Sequence, residues 1–140
     1  FKYDICVFLT CTNIFRKYSF ITKAVKNLQL NPNLESSFTV KKIYRHFWHV
    51  KKKKFMKVLP WMKKYTSRQI APKLFLEQTP VTLASRSFLW RKGKRIGKKV
   101  KLIFNDFPFS DVDINDRNDL KIANEAMKLL KKNKKIKEII

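Results

Sequence analysis

The densest charge available for chemistry lies in residues 90–99, where six of ten side chains are Lys or Arg. The nearest carboxylates in the sequence are Glu77 and Asp106, so this charge has no local compensation. Lys and Arg displace the counterions condensed on a polynucleotide, and an aromatic ring adds stacking that tolerates any base. Trp90 could stack in this way or pack into the core. The segment predicts an RNA-binding site made of Trp90, Arg91, Lys92, Lys94, Arg95, Lys98 and Lys99.

A second basic cluster surrounds the four consecutive lysines Lys51–Lys54. On a helical wheel the basic residues of this region gather opposite an apolar stripe, although helices that bind calmodulin or a membrane surface share that pattern. Two basic elements in one segment favour RNA, and the lack of Asn or Gln at fixed spacing favours phosphate contacts over base reading. The predicted RNA-binding residues here are Lys42, Arg45, His49, Lys51, Lys52, Lys53, Lys54 and Lys57.

A zinc site is not supported by the residue spacing. His46 and His49 are three residues apart, but they stand among lysines and arginines that would repel a dication. Cys6 and Cys11 are five residues apart, which is not the spacing of a zinc knuckle. We expect no metal ion and no cofactor.

Calcium and nucleotide chemistry are disfavoured on similar grounds. Asp111-x-Asp113-x-Asn115 begins like a calcium-binding loop, but Asp116 occupies the position that needs Gly. The segment 93–99 has one residue too few between its glycines for a P-loop, and it lacks the Ser or Thr. No catalytic triad can be assembled from the sequence. We therefore expect neither enzymatic activity nor a small-molecule substrate.

Residues 105–120 are acidic, with five Asp and one Arg. Asp116 and Asp119 have the spacing of a helix capping box, which gives them a local role. The other acidic side chains and their aromatic neighbours are expected to form an exposed loop that faces a neighbouring protein, away from RNA. These protein-contact residues are Asp106, Phe107, Phe109, Asp111 and Asp113.

Apolar residues at three- and four-residue spacing predict the helices that position these groups, over 13–29, 38–59 and 117–132. Between the last two helices, β-branched and aromatic residues predict a β-hairpin over about 81–104. The predicted fold class is α+β, a small antiparallel sheet packed on one face by about three helices. We expect one RNA-binding domain over 1–140, with 133–140 as an extended basic tail.

The whole chain has 140 residues, 33 Lys and Arg against 10 Asp and Glu, and a net charge of +23. Of this charge, +19 lies in residues 41–104. An apolar fraction of 44% is enough for a packed core, whereas the longest apolar run is five residues, far too short to span a membrane. Such a charge predicts a strongly negative partner.

These features resemble ribosomal proteins, organellar ones in particular. The resemblance rests on the basic helix at Lys51–Lys54, the basic hairpin Trp90–Lys99 and the basic tail Lys131–Lys137 on a compact core. Abundant Phe, Lys, Ile and Asn suggest an AT-rich genome. The start at Phe1 suggests a chain that is processed, truncated or read from an unusual start, and we expect that an import signal, if there was one, has been removed. The resemblance implies a structural constituent of a mitochondrial ribosome in the matrix, with rRNA and neighbouring ribosomal proteins as partners. A cytosolic or plastid ribosome is the alternative.

Two other classes stay open at this point. One is a basic accessory subunit of a mitochondrial respiratory or ATP-synthase complex, although such subunits usually carry a strongly apolar segment. The other is a small nucleic-acid-processing enzyme, whose carboxylate site is not evident in the sequence.

Overall fold

The computed structural model describes residues 3–64 and 66–132. The chain divides into two compact units, a larger one from Phe1–Lys41 with Glu77–Ile140 and a smaller one from Lys42–Leu76. The fold class is α+β, as predicted. The expected tail 133–140 lies outside the described residues, and a single functional domain over 1–140 stays a prediction.

The elements follow one another as β1 (Ile5–Phe8), α1 (Tyr18–Leu30), β2 (Ser36–Ile43), β3 (Trp48–Lys51), β4 (Lys54–Lys57), a 3-10 turn (Pro60–Lys63), β5 (Leu74–Glu77), β6 (Leu83–Arg86), α2 (Ser87–Arg91), β7 (Val100–Phe104) and α3 (Arg117–Lys132).

Strand β2 is the centre of a five-stranded sheet. The strand order is β1-β6-β2-β5, and β7 also pairs with β2. Strand β6 is antiparallel to β1 and β2, whereas β7 is parallel to β2. Leu83 of β6 and Leu102 of β7 both lie opposite Phe38, so these three side chains share one face. The sheet is therefore mixed, where the sequence had predicted an antiparallel one.

Both faces of this sheet are covered. Helices α1 and α3 pack on one face, through a cluster that includes Phe20, Ala24, Leu28, Ile103, Ala123, Ala126 and Leu130. The opposite face carries a smaller cluster of Phe38, Val40 and Leu83, against which Phe8, Trp90, Ile96 and Leu102 pack. Since β2 is enclosed from both sides, all five residues from Ser36 to Val40 are buried.

The first and last helices are confirmed, with one shifted boundary. Helix α1 begins at Tyr18, not at residue 13, because Lys17 has an extended backbone (φ −91°, ψ 137°). Helix α3 matches the predicted 117–132 and begins with the expected capping box. Asp116 Oδ1 accepts from the backbone N–H of Asp119 at 2.9 Å, and Asp119 Oδ2 accepts from that of Asp116 at 3.3 Å.

The predicted helix over 38–59 is wrong. This stretch contains most of β2 and the whole of the β3–β4 hairpin. Its Val, Ile, Phe, Tyr and Trp residues favour strands, and in β2 the apolar Phe38 and Val40 alternate with the buried polar Ser37 and Thr39. The apolar residues of 38–59 also satisfied a helical spacing, and the periodicity was misassigned for this reason.

The predicted hairpin over 81–104 is also wrong. Strand β6 ends at Arg86, helix α2 follows directly, and β7 pairs with β2 instead of folding back onto β6. The two segments do have strand-forming residues at Leu83–Arg86 and Val100–Phe104. Local composition identified these strands but could not show that their common neighbour is β2, which lies far away in the sequence.

The smaller unit is built around the β3–β4 hairpin. Its register pairs Trp48 with Lys57 and Val50 with Phe55. A two-residue turn of Lys52 and Lys53 joins the strands, and both residues have positive φ, 50° and 61°. This is the left-handed pattern of a type I′ turn, whose twist matches that of the two strands.

Candidate nucleic-acid interface

The smaller unit is uniformly basic. The sequence of 42–76 contains eleven Lys and Arg residues and no Asp or Glu, so none of these cations can find a carboxylate within its own unit. All ten acidic residues of the chain belong to the larger unit. The cations predicted to bind RNA here are exposed, except for the half-buried Lys57; the exposed ones are Lys42, Arg45, Lys51, Lys52, Lys53 and Lys54.

The hairpin has two chemically different faces. Because directly opposed residues share a face, Trp48, Val50, Phe55 and Lys57 lie together, and His49, Met56, Lys51 and Lys54 lie on the reverse. The first face is aromatic yet open, with exposed fractions of 58% for Trp48, 61% for Val50 and 75% for Phe55. We refer to Trp48, Val50 and Phe55 as the hairpin aromatic face.

Lys57 stands at the edge of this face. Its Nζ lies 4.1 Å from the centroid of the Trp48 ring, a cation–π contact that orients the indole. The arrangement puts a positive charge beside a large exposed ring, which suits a ligand that carries both aromatic surface and negative charge.

The hairpin tip combines strain with repulsion. Lys52 and Lys53 hold left-handed backbone conformations that cost side-chain-bearing residues free energy, and Asn or Gly is the usual choice at such positions. Lys51 and Lys54 are directly opposed like charges, which is a further unfavourable pairing. A polyanion at the tip would relieve the repulsion.

A small cleft of about 110 Å³ lies at the base of the same unit, lined in part by Tyr44, His46, Trp61 and Arg68. Lys42 Nζ and Arg68 Cζ lie 4.9 and 4.4 Å from the Tyr44 ring. The pKa of Tyr44 is lowered, first because the Lys42 side chain hydrogen-bonds to it and then because Lys42, Arg68 and Lys73 are cations nearby. The cleft therefore has aromatic walls in a positive environment.

The second predicted RNA-binding segment belongs to the larger unit and is held in place by its backbone. Glu35 Oε2 accepts from the backbone N–H groups of Lys98 and Lys99, and Ser36 Oγ accepts from that of Gly97 at 3.0 Å. Arg95 lies over the Phe8 ring, 4.5 Å from its centroid. The cations of this basic loop all point outward and are exposed: Arg91, Lys92, Lys94, Arg95, Lys98 and Lys99.

Trp90 packs inward, which was one of the two expectations for it. Its Nε1–H donates to Ser85 Oγ at 2.7 Å, and its ring centroid is 5.9 Å from that of Phe8. The half-buried indole packs against the core, and its predicted contact with RNA stays a prediction.

The acidic segment is folded onto the larger unit more than the sequence suggested. Phe107 is only 3% exposed, and Phe109 is half-buried with its ring centroid 6.1 Å from that of Phe15, so the expectation that both are exposed is wrong. Their contact with a protein stays a prediction. Asp111 pairs with Lys41 and also accepts from Gln78 Nε2 at 2.7 Å. Phe107 is part of the hydrophobic core that α1 and α3 cover, and Phe109 packs against this core.

Two other residues of that segment differ in accessibility. Asp106 is exposed, and Asp113 is half-buried with Asn115 as a neighbour. Asp106 thus keeps the surface position predicted for a protein contact.

The predicted RNA-binding residues therefore fall into two groups, one in each unit. The hairpin aromatic face was not predicted, because the helix expected over 38–59 would have turned its apolar residues toward the core. The available signal was the alternation Trp48-x-Val50 before the lysine run and Phe55-x-Lys57 after it, which is typical of a hairpin with its turn at the lysines.

Within the described ranges, no three His, Cys, Asp or Glu side chains lie together in a way that could hold a metal ion. No helix in the described part of the chain has the length and apolarity required to cross a bilayer. The sequence matches no protein-family model and shows no significant similarity to a curated protein.

Proposed function

We propose that this protein is an RNA-binding structural constituent of a ribosome. The observation that carries the proposal is the smaller unit, a 35-residue body with eleven cations, no carboxylates and an exposed aromatic hairpin. Lys and Arg gain affinity for RNA by releasing condensed counterions, and this gain does not depend on base sequence. The exposed basic loop of the larger unit supplies a second set of phosphate contacts.

The ribosome is favoured over a free RNA-binding protein because of the total charge. A net charge of +23 on 140 residues repels itself, and dense rRNA is a partner that can neutralise it from several sides. We propose the mitochondrial matrix as its location in the cell. This proposal rests on the AT-rich residue usage and the resemblance to organellar ribosomal proteins. Neighbouring ribosomal proteins are proposed as further partners, with Asp106 as a contact residue.

The assembly can be tested by sedimentation of lysates from the source cells. We expect the protein to co-sediment with one ribosomal subunit and to be released when RNase digests the rRNA. Co-sedimentation with a membrane complex, insensitive to RNase, would instead support the accessory-subunit class and contradict the proposal.

A further inference from the structure

The hairpin aromatic face is a large apolar surface surrounded by positive charge. Each of its three side chains is more than half exposed, and Lys57 and the turn residues Lys52 and Lys53 border it. An apolar protein partner would gain nothing from these cations, whereas a nucleic acid supplies both phosphates and flat aromatic bases. The charge around the face therefore selects the chemical class of its occupant.

The arrangement of the Trp48 and Phe55 rings also favours one structural form of the nucleic acid. Phe55 is opposite Val50, so it is a diagonal cross-strand neighbour of Trp48, and such neighbours are about 7–8 Å apart. Bases stacked in a duplex follow one another at about 3.4 Å along each strand. In a duplex both faces of each base are covered by its stacked neighbours, so the two rings can accept base faces only from unpaired, unstacked nucleotides.

We propose that the hairpin aromatic face binds unpaired nucleotides by stacking one base on Trp48 and one on Phe55, so that this hairpin recognises single-stranded RNA over duplex RNA. The inference rests on the proposed RNA-binding function and specifies its substrate class. Lys57 holds the Trp48 ring from one side, and the turn residues Lys52 and Lys53 contact phosphates next to the stacked bases.

The direct test measures the affinity of the full chain for two RNAs of equal phosphate number, an unstructured oligouridylate and a stable hairpin duplex. The unstructured RNA is expected to bind more tightly. Trp48→Ala and Phe55→Ala should each weaken its binding about five- to hundredfold, the usual range for loss of one base–aromatic stack. Duplex binding should change little.

Three controls separate stacking from other effects. Trp48→Phe keeps an aromatic platform and should restore most of the affinity for the oligouridylate. Ile70→Ala removes an equally exposed apolar side chain of the same unit outside the hairpin and should leave both affinities unchanged. The salt dependence of binding should be the same in Trp48→Ala as in the natural chain, because no charge is removed.

The outcomes distinguish the two proposals. If the chain binds neither RNA, the proposed function fails. If it binds both RNAs equally and Trp48→Ala has no effect, RNA binding stands but the stacking inference is overturned. Loss of binding to vesicles of anionic phospholipid in Trp48→Ala, with RNA affinity intact, would assign the face to a membrane surface and would also overturn the inference.

Discussion

At the scale of single residues, Glu35 fixes the end of the basic loop. Its carboxylate accepts from the backbone N–H groups of Lys98 and Lys99, and its own N–H donates to the Lys99 carbonyl at 2.8 Å. A Cβ at residue 97 would overlap the Glu35 side chain, which explains one of the only two glycines in the chain. The loop cations therefore project from an ordered backbone.

This geometry predicts a pH dependence. The hydrogen bonds from Lys99 and then Lys98 hold the pKa of Glu35 below its ordinary value of 4.5. The contribution of the Glu35 carboxylate to the stability of the folded state is therefore fully present above pH 4.5. It is lost as the pH falls through the lower pKa that Glu35 has in the folded state. We expect the amide proton shift of Lys99, followed by NMR, to titrate with a midpoint below 4.5, and the Glu35→Gln variant to show no such step. A midpoint at or above 4.5 would contradict this account.

At the scale of elements, the β3–β4 hairpin keeps an unfavourable turn. Lys52 and Lys53 adopt φ values that suit Gly or Asn, and strained backbone of this kind is often retained where a function needs the side chain. Gly at these positions would remove the steric cost, whereas Lys adds two cations to the tip.

A pair of variants isolates that strain. Lys53→Gly and Lys53→Ala remove the same charge, but only Gly adopts a φ of 61° without a steric penalty. We expect the cross-strand amides of the hairpin to be more protected from hydrogen exchange in the Gly variant, by about 1 kcal/mol in opening free energy. Equal protection in the two variants would show that the turn is unstrained.

Elements differ in how far the sequence could predict them. Helix α3 was predicted with its correct bounds because Asp116 and Asp119 mark its start locally and one apolar stripe suffices to place it. The region 38–59 was misassigned because its apolar residues also fit a helical spacing, and because β2 buries the polar residues Ser37 and Thr39 while the hairpin exposes its aromatic ones. The pairing of β7 with β2 depends on contacts between residues some 60 positions apart, which no local pattern records.

At the scale of the whole molecule, charge is divided unequally between the units. The larger unit contains every carboxylate, and several of them neutralise cations of the same unit, as in the pairs Lys41–Asp111, Arg86–Asp4 and Lys128–Glu125. In the smaller unit every charged side chain is a Lys or an Arg. This basic segment was predicted as a helix and is a hairpin, so its exposed aromatic rings were not predicted, and RNA binding by its lysines stays a prediction.

The central claim is that the smaller unit binds RNA through its lysines, and the salt dependence of RNA affinity tests it most directly. Replacing Lys51–Lys54 with Ala removes four charges from the hairpin tip. The matched control replaces four exposed lysines outside the basic elements, Lys23 and Lys26 of α1 and Lys121 and Lys128 of α3, and so reaches the same net charge. We expect the slope of log K against log salt to flatten by about 0.7–0.9 per lost phosphate contact in the hairpin variant and to change little in the control. Equal slopes in the hairpin variant and the natural chain would contradict the claim.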